Sequence, residues 1–334
     1  MEQAAKFWKN SPNSQLEFNL KANLSKLFDS DLDEEKEPGV VTVTTSDGSV
    51  KSIDVSVKKR GNTSLKQCKF KKLNIIFKSS TEGTPFEGIN SLQLGTHCDL
   101  LGPADNLRLG DERVVAREYI AYAIADLLGV PANKARRAKI SYIDEGNKFT
   151  TTQQALLVED HDDAAARLGG RRLDSHDDKA LLLTLNRSKL LGSDAALQHW
   201  FELLVANSYF TLSDLTGTCS FLSGGFYNTK VYQKPDGSFG TFVYDFDVAW
   251  PVRETKDNRD AIMQGLAGMT TDALAPGKNS LVRYVSLCAQ YARMRHLRTE
   301  REAALSLIRS KKGEIFELIK SIAMDEEGRS NWLS

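Results

Sequence analysis

The feature that most constrains the fold is a pair of β-branched segments joined by an Asp-Gly turn. "VVTVTT" at 40–45 is followed by "SDGS" and then by "VKSIDVSVKKR". The dipeptide Asp47-Gly48 supplies the positive-φ turn chemistry that a hairpin requires. The sequence therefore predicts a β-hairpin here, which excludes an all-helical first half.

The elements that follow divide the chain into three segments. Residues 1–38 are expected to form a peripheral arm, with a short helix in "QLEFNLKANLSKLF" and an acidic linker. Strand patterns and one helix, "DERVVAREYIAYAIADLLGVP", occupy 39–160. Residues 161–334 are mostly helical in pattern, interrupted only by two strands, "FYNTKVYQ" and "GTFVYDFDVAW", joined by "KPDGS". The sequence thus predicts an α+β fold with a sheet-rich N-lobe and a helical C-lobe.

Composition limits the partners. The 334 residues carry 44 basic and 44 acidic side chains, so no overall charge favours nucleic acid or an anionic membrane. The apolar runs fall short of the roughly 18 residues that a membrane span needs. The four cysteines are far apart, which gives little support to zinc or a disulfide framework, and the start lacks a signal-peptide pattern. We expect no nucleic-acid partner and no membrane span, and a cytoplasmic location unless a signal segment was trimmed from the start.

The stretch "YDFDVAW" at 244–250 places two carboxylates in apolar surroundings. In an extended strand, Asp245 and Asp247 project to the same face, while Phe246 projects to the other. Carboxylates this close repel one another unless a cation or a shared proton intervenes. Mg²⁺ and similar hard cations prefer such oxygen ligands, so the pattern predicts a metal site.

A second polar region lies in the loop before the first of the two late strands. Asp214 follows a helical segment in a Ser/Thr/Gly-rich loop, and Asn228 lies where the chain becomes extended. Asp214 has two interpretations, a helix cap or turn residue, or a group that orients a nucleophile. Asn228 is a candidate oxygen ligand for a metal.

Three features in the sheet-rich segment are candidates for binding an anion. The loop "KKRGNTS" at 58–64 can present backbone N–H groups beside Arg60, although loops of this composition are also ordinary turns. Lys72 enters the strand "KKLNIIF" and can neutralise phosphate, but Lys71 points to the opposite face and sequence does not choose between them. Glu118 borders the apolar stripe of the helix, so its side chain has two interpretations, a solvated surface residue or a functional residue.

Taken in order, these motifs resemble the CotH kinase family of atypical, spore-coat-type protein kinases. The resemblance covers about residues 40–252 and depends on the order of the motifs more than on any one match. The matching motifs are "RGNTS", "KKLNIIF", "LRLGDERVVAREYIAYAIADLLGVP", "QALLVED", the Asp214–Asn228 pair and "YDFDVAW".

The resemblance implies a diverged, bilobal protein-kinase-like fold that binds ATP with Mg²⁺ or Mn²⁺ and phosphorylates Ser or Thr hydroxyls of a protein substrate. In it, Asp214 resembles the residue that positions or deprotonates the acceptor hydroxyl, and Lys72 resembles the phosphate-binding lysine, with Glu118 as its partner. Asp245 and Asn228 resemble metal ligands, with Asp247 as a second ligand or a supporting group. The remaining implied nucleotide-binding residues are Arg60, Gly61, Asn62, Ser64 and Glu159.

Two other functions remain open. In ordinary kinases the Gly-rich loop joins the first two strands, whereas "RGNTS" follows the second, and Asp214 and Asn228 are separated by an insertion. These departures suit a kinase-like nucleotide- or protein-binding module without catalysis. Transfer of AMP by the same fold is the other alternative, because a fold alone does not determine the chemistry.

Overall fold

The structure is a computed structural model of the 334-residue chain. It describes residues 2–9, 14–30, 32, 34–61, 65, 68, 70–95, 112–174, 177–178, 181, 193–205, 228–246, 297–324, 326 and 329. The fold is mixed α/β. It divides into two compact units. Unit 1 contains Met1–Tyr119, Lys134–Asp160 and Ser321–Ala323, and unit 2 contains Ile120–Asn133, His161–Lys320 and Met324–Ser334.

Ten strands and seven helices are described. The strands are β1 (Leu16–Ala22), β2 (Lys36–Thr44), β3 (Val50–Lys59), β4 (Leu73–Phe77), β5 (Ser91–Gly95), β6 (Ala135–Asp144), β7 (Thr150–Glu159), β8 (Arg171–Arg172), β9 (Thr229–Gln233) and β10 (Phe239–Val243). The helices are α1 (Glu2–Trp8), α2 (Leu24–Asp29), α3 (Glu112–Leu128), α4 (His161–Arg167), α5 (Ser193–Val205), α6 (Arg298–Ser310) and α7 (Lys312–Ser321).

Unit 1 is built on a closed seven-stranded barrel in the order β1-β2-β3-β4-β5-β7-β6. Neighbouring strands are antiparallel except for β1 and β6, which pair in parallel and close the barrel. Closure leaves no free sheet edge to pair with another chain. The barrel interior holds one apolar core that includes Phe18, Leu20, Ile53, Ile75 and Tyr142.

Strand β1 differs from the sequence expectation, which placed a short helix in "QLEFNLKANLSKLF" within a peripheral arm. Residues Leu16–Ala22 alternate strictly between buried and exposed, which is the period of a strand, and only Leu24–Asp29 is helical. Gly39 allows β1 and β2 to approach closely, because a Cβ at this position would lie 2.7 Å from the Lys21 carbonyl oxygen. The first 38 residues thus include a barrel strand.

The predicted hairpin is confirmed as β2 and β3. Gly48 has a φ of 84°, and the Asp47 carboxylate accepts hydrogen bonds from the hydroxyl of Thr45 and from the backbone N–H of Ser49. Hydrogen bonds from Thr45 and Ser49 lower the pKa of Asp47 to about 2. The predicted "KPDGS" turn between β9 and β10 uses the same chemistry, with Gly237 at a φ of 80°.

Unit 2 contains a three-stranded antiparallel sheet in the order β10-β9-β8. Residues 131–133 run beside β10, because the Val243 N–H donates to the Pro131 carbonyl and the Asn133 N–H donates to the Val243 carbonyl. Helix α5 is joined to β10 by a buried hydrogen bond of 2.8 Å from the Thr241 hydroxyl to Gln198 Oε1.

Two further findings bear on the sequence expectations. Cys68 is 2% exposed and disulfide-bonded, whereas the spacing of the cysteines gave little support to disulfides. Within the described parts of the chain, every helix is too short or too polar to cross a bilayer.

Candidate functional site

Asn228 and Asp245 lie side by side at the open end of the β9–β10 hairpin. Asn228 immediately precedes β9 and Asp245 lies two residues after β10, and the last strand pair is Thr229 with Val243. Beyond that pair, the Tyr244 N–H donates to the Asn228 carbonyl at 3.0 Å. The Asn228 side-chain amide then donates to the Asp245 carbonyl at 3.1 Å. The hairpin register therefore brings together two residues that are 17 positions apart.

Both residues have a left-handed backbone. The φ angles are 50° at Asn228 and 63° at Asp245, and Asn147 in a β-turn is the one other non-glycine residue with positive φ in the described regions. This conformation is uncommon outside glycine, and Asn and Asp tolerate it best. Such outliers cluster at ligand-binding sites when the surrounding structure enforces them.

The conformation of Asp245 overturns part of the strand argument for "YDFD". Strand β10 ends at Val243, and a φ of 63° is not extended backbone. The alternation that placed Asp245 and Asp247 on one strand face therefore does not apply. Asp247 itself lies outside the described residues, so its predicted role as a ligand stays a prediction.

Tyr122 of helix α3 holds the Asp245 segment. Its hydroxyl accepts a hydrogen bond of 2.9 Å from the Asp245 N–H, and its ring meets the edge of Phe246 at 4.8 Å between centroids. Phe246 is fully buried and also contacts the ring of Phe201 at 5.7 Å. An aromatic anchor thus fixes the residue after Asp245, which explains how the left-handed conformation persists.

Tyr244, on the other side of Asp245, is also packed against aromatic and charged groups. Its ring lies 4.4 Å from the imidazole of His161, and the Lys230 ammonium lies 5.2 Å from the ring centroid. The His161 ring in turn contacts the buried Asn133 amide, with 3.2 Å between Nδ2 and Nδ1. Both neighbours of Asp245 are therefore held in place by contacts within unit 2.

In unit 1, Arg60 and Lys72 are opposite each other just beyond the last β3–β4 pair. The Arg60 N–H donates to the Lys72 carbonyl at 2.8 Å, and its guanidinium donates to the Leu94 carbonyl of β5 at 3.1 Å. Lys72 is 8% exposed, and Gly61 has a φ of 96°.

The two lysines that the sequence left open have different surroundings. Lys71 donates from its ammonium to the Leu65 carbonyl at 2.6 Å. Burial, together with the charge of Lys59, lowers the pKa of Lys71. Lys72 is the more deeply buried of the two, at 8% exposure. Its predicted contact with phosphate stays a prediction.

The two predicted carboxylates of unit 1 are both buried. Glu118 is 2% exposed on α3, so the solvated-face alternative is wrong. Glu159 is 3% exposed at the end of β7, where its carboxylate accepts from the Lys134 N–H at 3.0 Å. Because this bond joins the end of β7 to the residue before β6, Glu159 has a structural role here. Its predicted nucleotide contact stays a prediction.

Four of the predicted site residues lie outside the described part of the chain, namely Asn62, Ser64, Asp214 and Asp247. The residue that sequence reasoning missed is Tyr122, whose hydroxyl contacts Asp245. Its position four residues after Glu118 puts both on one helix face, and that spacing was the available signal.

The donor set at the hairpin suits a hard divalent cation. An Asp carboxylate and an Asn amide oxygen are ligand types that Mg²⁺ and Mn²⁺ take. The side-chain nitrogen of Asn228 donates to the Asp245 carbonyl, so the side-chain oxygen of Asn228 points away from that carbonyl. Two protein ligands are typical for Mg²⁺, which keeps several waters. In the described part of the chain, no three His, Cys, Asp or Glu side chains form a larger cluster.

Comparison with known proteins identifies a solved structure that is similar to the chain. No family model and no curated protein matches the chain. The chain is similar to the crystal structure of a Helicobacter pylori proinflammatory kinase, CtkA, with a TM-score of 0.38 and 9% sequence identity over 83% of this chain and 87% of that chain. A likeness at this level does not establish a shared function, so the chain's own residues must support any proposal.

Proposed function

We propose that this chain is a metal-dependent phosphotransferase of the CotH kinase type, which transfers the γ-phosphate of ATP to Ser or Thr hydroxyls of a protein. The observation that carries the proposal is the pairing of Asn228 and Asp245, both left-handed, at the end of one hairpin. An oxygen-ligand pair held in an uncommon backbone conformation is explained by a bound cation better than by turn formation alone.

The proposal assigns a role to each group of residues. Asp245 and Asn228 hold Mg²⁺ or Mn²⁺, with Asp247 as an additional ligand or support. When bound, the metal neutralises phosphate charge, which phosphoryl transfer needs more than covalent help. Lys72 and Arg60 bind phosphate oxygens, together with the backbone from Gly61 to Ser64. Glu118 orients Lys72, Glu159 borders the adenine, and Asp214 accepts the proton of the attacking hydroxyl.

The test is transfer from γ-labelled ATP to Ser/Thr peptides in Mg²⁺ or Mn²⁺. The variant is Asp245→Asn, because Asn tolerates a left-handed φ as Asp does but lacks the charge. The matched control is Asp236→Asn, at the opposite end of the same hairpin, where the Asp236 carboxylate accepts from the backbone N–H and the hydroxyl of Ser238. We expect transfer to fall at least 100-fold in the first variant and to be unchanged in the second. Equal transfer by wild type and Asp245→Asn would contradict the proposal.

The second candidate is a nucleotide-binding module without catalysis. It is favoured by the insertion that separates Asp214 from Asn228 in the sequence. Nucleotide would then raise the unfolding midpoint without a metal requirement or turnover. Transfer of AMP would instead be recognised by mass spectrometry, as a product heavier by AMP and not by phosphate.

A further inference from the structure

Cys68 is a disulfide-bonded residue in the loop that joins β3 to β4. It is buried, at 2% exposure, and lies four residues before Lys72 in the sequence. Contacts hold the chain on both sides of it, because the Lys71 ammonium donates to the Leu65 carbonyl at 2.6 Å and the Phe70 ring packs on the barrel core. The disulfide therefore lies where this loop packs on the barrel.

The division of the chain into units narrows the choice of bonding partner. The other cysteines are Cys98, Cys219 and Cys288, all of them outside the described residues. The sequence range of unit 1 includes Cys98 as well as Cys68, whereas Cys219 and Cys288 fall within the range of unit 2. Cys98 is therefore the one other cysteine that belongs to the same compact unit.

The register of β4 and β5 also favours Cys98. Asn74 is directly opposite Gln93 in this antiparallel pair. Cys68 comes six residues before Asn74, and Cys98 comes five residues after Gln93. The same register, continued beyond the strands, brings the two cysteines within one position of being opposite each other. Residues opposite each other in such a pair have Cα atoms about 4.5–5.5 Å apart, which is within the range that a disulfide spans.

The same end of the barrel holds two of the predicted phosphate-binding residues. The Arg60 N–H donates to the Lys72 carbonyl at 2.8 Å, and the Arg60 guanidinium donates to the Leu94 carbonyl of β5 at 3.1 Å. Cys68 lies between Arg60 and Lys72 in the sequence, and Cys98 follows Leu94 by four residues. A covalent link between the two cysteines would join the same segments that Arg60 joins by hydrogen bonds.

We propose that Cys68 and Cys98 form a disulfide that makes phosphate binding at Arg60 and Lys72 sensitive to redox conditions. A dithiol reductant breaks this bond by exchange, because one thiolate attacks a sulfur of the S–S bond and the second thiol resolves the mixed disulfide. The protein then carries two thiols, and the reductant has become a disulfide. Loss of the link loosens the β3–β4 loop, so the reduced protein binds phosphate more weakly. The effect on phosphate rests on the proposed function, whereas the disulfide itself does not.

Peptide mapping identifies the bonding partner. Wild-type protein is equilibrated in a buffer of reduced and oxidised glutathione, alkylated without further reduction and digested with trypsin, which releases Cys68 in residues 67–69 and Cys98 in residues 79–108. Mass spectrometry should find these two peptides joined. Cys68 joined to a peptide of unit 2, or Cys68 recovered as an alkylated thiol, would overturn the proposal.

The unfolding midpoint then measures what the link does for stability. The variant is Cys98→Ser, which leaves the buried Cys68 in place, and the matched control is Cys288→Ser. Dithiothreitol should lower the midpoint of wild type and of Cys288→Ser by several degrees, because a link that closes a loop of roughly 30 residues restricts the unfolded chain. Cys98→Ser should have the lower midpoint without reductant. An equal response to dithiothreitol in Cys98→Ser and wild type would contradict the assignment.

Titration with a fluorescent ATP analogue tests the effect on phosphate binding. Dithiothreitol should raise the Kd of wild type and of Cys288→Ser several-fold, and Cys98→Ser should have the higher Kd with or without reductant. The same Kd for oxidised and reduced wild type would overturn the redox effect. No binding in either state would instead count against the proposed function, while the peptide map and the midpoints still decide the disulfide.

Discussion

The Tyr122 hydroxyl accepts a hydrogen bond of 2.9 Å from the backbone N–H of Asp245. The same side chain is 4% exposed and packs on Phe246, the next residue along the chain. Because the bond is to the backbone, it restrains the orientation of Asp245 without using its carboxylate. Tyr122 is therefore a positioning residue for the proposed metal ligand.

The variant Tyr122→Phe tests this positioning. It keeps the ring against Phe246 and removes only the hydroxyl, so we expect a loss of about 1 kcal/mol in the free energy of unfolding. The affinity for Mn²⁺ should fall several-fold, because Asp245 is less well held. Isothermal titration calorimetry measures the affinity, and denaturant unfolding measures the stability. Unchanged Mn²⁺ affinity together with the expected stability loss would show that the bond is only structural.

Lys72→Met should weaken nucleotide binding and leave metal binding unchanged. Lys72 is buried opposite Arg60, where its charge can meet a phosphate. The matched control is Lys71→Met, since Lys71 donates to the Leu65 carbonyl. Fluorescence titration with a labelled ATP analogue should show at least a tenfold higher Kd for Lys72→Met and little change for Lys71→Met. The reverse order of effects would assign the phosphate contact to Lys71.

Leu20→Ala should destabilise the barrel by about 2–5 kcal/mol, the range for truncating a buried leucine. Leu20 is fully buried in β1, and the adjacent Lys21 points outward. Lys21→Ala is therefore the control, with an expected change below about 0.5 kcal/mol. Chemical denaturation measures both. Similar small effects in the two variants would mean that the first 38 residues are a peripheral arm after all.

Asp144 gives unit 1 a stability that depends on pH. Burial by itself would raise its pKa, but hydrogen bonds from the backbone N–H groups of Ser25 and Lys148 outweigh it, so the pKa is lower than that of an ordinary Asp carboxyl. The folded state then binds protons less readily than the unfolded state. The contribution is complete above pH of about 4 and is lost as the pH falls through the folded-state pKa.

Thermal unfolding of wild type and Asp144→Asn between pH 2 and pH 7 checks this prediction. The difference between their midpoints should be largest near neutral pH and should shrink as the pH falls through the lowered pKa of Asp144. A difference that grows on acidification would contradict the assignment.

Much of the fold could be predicted because local signals agreed with the tertiary structure. The Asp47-Gly48 turn and the helix ending at Gly129 follow from local backbone chemistry, and both are present. Barrel closure could not be predicted, because it depends on β1 pairing in parallel with β6, more than a hundred residues away. The apolar residues of β1 are also followed almost immediately by those of α2, so the two-residue period of a strand and the 3.6-residue period of a helix are hard to separate in this sequence.

Two candidate site residues that lie together in the structure were chosen from the sequence for a partly incorrect reason. Asp245 and Asn228 were chosen from residue type and motif order, and the hairpin register brings them together. The predicted extended strand through Asp245 does not exist, because Phe246 is anchored in a buried aromatic cluster instead. Such packing depends on helices distant in sequence, which no local pattern reveals.

The claim that Asp245 and Asn228 hold a divalent metal is tested most directly by measuring Mn²⁺ binding to the protein with electron paramagnetic resonance. Three proteins are compared, namely wild type, Asp245→Asn and Asn228→Gly, where Gly permits the left-handed φ but removes the amide ligand. Wild type should bind Mn²⁺, Asp245→Asn should lose most of the affinity, and Asn228→Gly should lose part of it. Equal Mn²⁺ binding by wild type and both variants would contradict the account.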